Sequence, residues 1–145
     1  MAADTGRAVV DLRDVWKAFD DKPVLQGLSL TLEKGTTLAV MGGSGSGKTV
    51  LLRTIDGLIA PDDGEVWLLG TRIDGLREEQ LLPVRRRAGY VFQGAALFDS
   101  LSVFENVAFP LREHTRLGEG EITDRVHRSL ALVGLPEGSC DNATR

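Results

Sequence analysis

Eight consecutive residues, Gly42-Gly43-Ser44-Gly45-Ser46-Gly47-Lys48-Thr49, constrain this chain more than any other stretch. They satisfy the spacing Gly-x-x-x-x-Gly-Lys-Ser/Thr, and the flanks are those the spacing needs. Upstream, Leu38-Ala39-Val40-Met41 is a short apolar run that reads as a buried parallel strand. Downstream, Val50, Leu51, Leu52, Ile55, Leu58 and Ile59 recur at helical spacing. Strand, glycine loop and helix make a phosphate-binding unit.

Each residue type has its own reason to be there. Glycines let a loop wrap a phosphate with its N–H groups pointing inward, in conformations a Cβ would resist. A helix starting near Lys48 adds the partly positive end of its dipole. Lys48 reaches the β- and γ-phosphates of a nucleotide, and the Thr49 hydroxyl is a ligand for Mg²⁺.

The rest of the composition narrows the field. At 145 residues the chain is about one domain, with room for a real core. A net charge of −4 with both signs interspersed gives no reason to expect nucleic acid. A single cysteine, Cys140, rules out an internal disulfide and suits a reducing compartment. There is no run of about 18 apolar residues, and Met1 to Arg7 lack a signal peptide's apolar centre. A cytoplasmic location is expected.

Taken in order, Ala8 to Leu12 reads as a strand and Lys17 to Pro23 as a polar turn. Leu28, Leu30 and Leu32 alternate with Ser29, Thr31 and Glu33, so an antiparallel sheet precedes the loop. Phe19 could stack on an adenine ring, though a core phenylalanine is the default. The helix after the loop stops near Asp56-Gly57, Pro61 to Gly64 is a turn, and Glu65 to Leu69 is a strand. Leu76 to Leu82 predicts a short helix ended by Pro83. Arg85-Arg86-Arg87 reads as a solvated charge run rather than an anion site. Ala88 to Phe92 predicts a further buried strand with Gln93 at its end. Ser102 and Glu105 have capping-box spacing, which starts a helix near Val103 that stops near Pro110. Ile122, Val126, Leu130 and Val133 share one face of a last helix, closed by Gly134 and Pro136. Core packing is the default for that face, with a partner surface as the alternative.

With these residues in hand, the chain resembles the first part of an ABC transporter ATPase subunit from about Val9 to Pro136. The likeness rests on the phosphate loop, Leu51-Leu52-Arg53 with Gly57-Leu58, Pro61 to Val66, and Gly89-Tyr90-Val91-Phe92-Gln93. Gln93 to Thr115, and above all Phe109-Pro110-Leu111-Arg112-Glu113-His114-Thr115, is similar to the ATPases of Mce-type phospholipid transporters. The resemblance implies an α/β P-loop NTPase with an N-terminal antiparallel β subdomain, parallel core strands and the start of a helical subdomain. Residues 1–136 would be the N-terminal part of the nucleotide-binding domain and 137–145 an irregular tail. ATP and Mg²⁺ are the implied ligands. Phe19 falls at the adenine-stacking aromatic, Gly42 to Thr49 at the phosphate loop, and Gln93 at the Q-loop glutamine that contacts Mg²⁺ and the attacking water. Val50 stands where the family usually has a second hydroxyl, so only its backbone N–H remains. The implied partners are a membrane permease, on whose cytoplasmic face the subunit would sit, and a second ATPase subunit in the full-length form. Leu97, Phe98 and Leu101 are candidates for the permease contact, subdomain core being the equal alternative.

The family also needs a Leu-Ser-Gly-Gly signature, a strand ending in Asp followed by a catalytic Glu, and a switch histidine. None follows Val133. The one apolar run ending in Asp, Ala8 to Asp11, precedes the loop. His114 and His127 follow no strand and read as surface residues. The loss of pattern after Pro136 fits a truncated or frameshifted ending. The chain alone is therefore expected to bind ATP without hydrolysing it, since turnover needs several groups acting together. The alternatives are a non-catalytic ATP-binding or permease-binding module, and another P-loop enzyme. A GTPase should carry Asn-Lys-x-Asp, and this chain has none.

Overall fold

The computed structural model describes residues 8–94 and 97–135. The chain forms two compact units, Met1–Tyr90 and Val91–Arg145.

The first unit is built on an antiparallel sheet. Strand β1 (Ala8–Phe19) pairs with β2 (Lys22–Glu33) on one side and β3 (Asp63–Leu68) on the other. A short β4 (Thr71–Arg72) completes the order β2-β1-β3-β4. The polar turn expected over Lys17 to Pro23 shrinks to Asp20-Asp21, because both aspartates adopt positive φ (46° and 62°). Two such residues make the primed turn whose twist suits a hairpin. Along β2, Leu28, Leu30 and Leu32 are half-buried while Ser29, Thr31 and Glu33 face outward, as the alternation predicts. On β1, buried Asp11 accepts from the Thr31 hydroxyl at 3.0 Å and from Arg13 at 2.9 Å, a structural role.

Helix α1 (Lys48–Ile55) packs Leu51 and Thr54 inward, and α2 (Glu78–Arg85) adds Leu81 and Val84. They join Leu12, Val15, Leu25, Val66 and Ile73 in one core. Burying each large apolar side chain there contributes about 1.5–3 kcal/mol. Helix α2 runs through Pro83 instead of stopping before it. The proline forfeits one backbone bond, and the burial of Leu81 and Val84 on either side of it outweighs that loss.

Two expected strands do not form. Leu38 to Met41 carries no strand pairing, and Leu38, Val40 and Met41 are 46%, 40% and 90% exposed. Ala88 to Phe92 likewise forms no strand, and Val91 is 95% exposed. A parallel strand exists only through its neighbours' hydrogen bonds. Among the described residues no strand lies beside either segment, and every strand pair is antiparallel.

The second unit pairs α3 (Val103–His114) with α4 (Glu119–Leu132). Ala108, Ile122, Val126 and Leu130 form its core. Val133 leaves the expected stripe and is 71% exposed, because α4 ends at Leu132 and the chain turns at Gly134. The Ser102 hydroxyl accepts the Glu105 N–H at 3.2 Å, as the capping spacing predicts. The Glu105 carboxylate turns instead to Arg112, which also grips Glu119 through Nε (3.0 Å) and Nη2 (2.9 Å) and so ties the helices together. Helix α3 passes through Pro110 for the reason α2 passes through Pro83: the fully buried Ala108 anchors it. His114 is exposed, whereas His127 packs edge-on against Phe104. Pro136 and the tail 137–145 lie outside the described residues.

Candidate functional site

The glycine loop is exposed, and its own lysine folds back onto it. Lys48 Nζ donates to the carbonyl oxygens of Gly42 (2.8 Å) and Gly43 (2.7 Å) and to Ser46 Oγ (3.3 Å). Two glycines of the loop have close neighbours. A Cβ on Gly42 would stand 2.6 Å from Ser46 Oγ, and one on Gly47 2.9 Å from Val24 Cγ1. Gly47 also needs its positive φ of 88°. It caps α1 without any side-chain acceptor, and no acidic residue lies in the first turn. The first N–H groups of α1 therefore have no helical partner, and the helix dipole makes that end favourable to negative charge. Thr49 and Ser44 are exposed there, while Val50 packs against the core. A cleft beside the loop is lined by Val24, Leu28, Val40, Met41 and Lys48.

The other end of α1 is held by a residue the sequence reading assigned to solvent. Arg85 Nε donates to the Asp56 carbonyl oxygen at 2.9 Å and Nη2 to that of Gly57 at 2.7 Å, with Glu78 as its ion-pair partner. A cation on the last carbonyls of a helix answers its dipole. Of the three arginines only Arg86 and Arg87 are exposed as expected. Burial pushes the Asp56 carboxyl up, against the opposing charge of Arg85.

Phe19 ends β1 opposite Lys22 and is 43% exposed, so it is not a core residue. Val24, which touches Gly47, lies two residues further along β2, about 7 Å of strand. The Lys17 ammonium sits 5.4 Å from the Phe19 ring centroid and 2.7 Å from Asp62 Oδ1. Asp62 Oδ2 accepts the Ala18 N–H at 2.7 Å. The bond from Lys17, and then that from Ala18, hold the Asp62 carboxyl below its ordinary value.

Gln93 belongs to the second unit, exposed beside Gly94, so Thr49 and Gln93 stand in different units. Leu97 and Phe98 are 48% and 52% exposed and Leu101 is half-buried. The Phe98 ring meets Phe109 edge-on at 5.2 Å. Asn106, which sequence reasoning passed over, organises this segment. Its carboxamide accepts the Phe98 N–H (2.8 Å) and donates to the carbonyls of Phe98 (3.1 Å), Leu101 (3.3 Å) and Ser102 (3.0 Å). Its position four residues after the capping serine was the available signal.

Comparison with known proteins turns this geometry into a family assignment. The family model for the ABC transporter matches residues 25–144. The chain belongs to the ABC transporter family. Among its ABC relatives is the intermembrane phospholipid transport system ATP-binding protein MlaF of Escherichia coli. It is 44% identical over 127 residues, covering 88% of this chain and 47% of MlaF. The chloroplastic protein TRIGALACTOSYLDIACYLGLYCEROL 3 of Arabidopsis thaliana is also 44% identical over 127 residues, covering 88% of this chain and 36% of its own. The chain thus spans less than half the length of these two ABC relatives. Among solved structures it resembles the ABC cassette MJ0796, a dimer in a post-hydrolysis state bound to ADP and Pi. The TM-score is 0.83 at 30% identity, over 92% of this chain and 61% of that one. These likenesses bear out the P-loop NTPase fold read from the sequence, although the two parallel core strands expected with it do not form among the described residues.

Proposed function

We propose that this chain is the nucleotide-binding part of an ABC ATPase subunit, which holds ATP with Mg²⁺ and works with a membrane permease in phospholipid transport. The observation that carries the reading is the uncapped start of α1, entered through Gly47 at φ 88° with Lys48 as its first residue and no acidic side chain in the first turn. Uncapped N–H groups at a helix start supply donors for a phosphate, and the adjacent ammonium supplies the opposing charge. The open N–H groups of α1 and the Lys48 ammonium bind the phosphate tail, and the Val50 N–H joins them without a side-chain hydroxyl. The exposed Thr49 hydroxyl is the Mg²⁺ ligand on this unit, with Gln93 as the second candidate. Bound Mg²⁺ would neutralise charge on the β- and γ-phosphates. Phe19 offers its exposed ring to the base.

The 44% identity to MlaF supports phospholipid transport as the process served. The half-exposed Leu97 and Phe98, with Leu101 beside them, support a contact with the permease. Among the described residues no helix is long and apolar enough to cross a membrane, which fits a subunit peripheral to its permease on the cytoplasmic face. Nothing in this sequence matches the family's catalytic Glu or signature, so the chain alone binds nucleotide without turnover. A second ATPase subunit is the other partner, in keeping with the dimeric cassette it resembles.

Calorimetric titration with Mg-ATP, Mg-ADP and Mg-GTP tests the reading, alongside a phosphate-release assay. Binding of both adenine nucleotides is expected, abolished by Lys48→Ala, with no phosphate released. No heat with either adenine nucleotide, or a strong preference for GTP, would overturn it. Phosphate release that disappears in Lys48→Ala would overturn the claim of inactivity.

A further inference from the structure

The end of β1 is held by a loop residue in place of a strand. Beyond Trp16, which pairs with Asp63, β1 has no partner in β3. Asp62 takes over that edge. Its N–H donates to the Trp16 carbonyl at 2.8 Å and its Oδ2 accepts from Ala18 N–H at 2.7 Å, so it grips the backbone on both sides of Lys17. Its Oδ1 binds the Lys17 ammonium, whose side chain is only 16% exposed. That ammonium lies over the Phe19 ring. One face of the aromatic is thereby covered by a fixed cation, while the residue still exposes 43% of its surface.

We propose that Lys17 and Asp62 are positioning residues for base recognition. Asp62 holds the Lys17 ammonium against one face of Phe19 and commits the opposite face to an electron-rich purine. A cation on one π-face draws ring density toward itself, which makes the far face a better platform for such a base. The proposal rests on the reading of Phe19 as the base-stacking residue, so the test must separate the two.

The experiment compares Mg-ATP with Mg-tripolyphosphate, which carries the tail without the base, on the 145-residue chain. The ratio of their affinities isolates the base. Lys17→Met and Asp62→Asn should each lower that ratio roughly two- to five-fold, the range of one exposed cation–π contact. Tripolyphosphate affinity should stay constant. Phe19→Ala should lower the ratio further. If Phe19→Ala lowers it and the other two leave it unchanged, the clamp is overturned and the stacking role of Phe19 stands. If ATP and tripolyphosphate weaken together in Lys17→Met, the lysine serves the phosphates and the proposal fails. If Phe19→Ala changes nothing, base stacking itself fails and takes the clamp with it. The two clamp variants act through different atoms, so misfolding of one leaves the other decisive.

Discussion

Arg85 Nη2 lies 2.7 Å from the carbonyl oxygen of Gly57, 28 residues earlier in the chain. This bond, with its neighbour to Asp56, fastens the far end of the helix whose near end is the glycine loop. A planar fork can serve two adjacent carbonyls at once, and an ammonium cannot match that geometry.

Arg85→Lys should therefore cost about 1–3 kcal/mol of stability, the range for hydrogen bonds involving a charged group. Arg86→Lys, at an exposed position, should stay within about 0.5 kcal/mol. Urea denaturation of the two variants checks this, and equal midpoints would return Arg85 to the surface.

Asn106→Ala should free the Phe98 backbone. Four hydrogen bonds from one carboxamide hold that segment, and their loss leaves the Phe98 N–H without its 2.8 Å acceptor. Hydrogen exchange at Phe98 should accelerate at least about ten-fold, corresponding to roughly 1.4 kcal/mol of local protection. The amides of α4 should keep their rates. Unchanged exchange at Phe98 would show that Asn106 does not hold the segment.

The Asp62 clamp also sets a pH dependence. Its carboxyl is held below the ordinary aspartate value by the bond from Lys17, and by that from Ala18. A carboxylate depressed in the folded state contributes stability that is fully present above the unfolded value and is lost as pH falls through the lowered one. The stability gap between the parent chain and Asp62→Asn should be flat from neutral pH down to the ordinary aspartate range and close below it. A gap that widens toward acid would contradict the assignment. Urea midpoints measured across that range decide it.

The parts of this molecule that were legible in the sequence are those whose requirements are local. The Gly42 to Thr49 loop could be read because local conformation asks for glycine in it, as the positive φ of Gly47 against Val24 shows. The β2 alternation and the Ser102 cap were readable because period and capping chemistry act over a few residues. Leu38 to Met41 misled because an apolar run records a tendency to be buried, whereas a strand needs a neighbour to bond. Pro83 and Pro110 misled because local propensity yields when flanking residues are buried. Arg85 and Lys17 were opaque for a different reason. Their partners, Asp56, Gly57 and Asp62, lie 28 to 45 positions away and are chosen by the fold.

The loop's two margins are unequal. On the α1 side Gly47 is wedged against Val24, while on the other the chain arrives through Met41, whose side chain faces water. A phosphate held as proposed would therefore lie between one margin fixed by side-chain packing and another whose apolar residue is left to water.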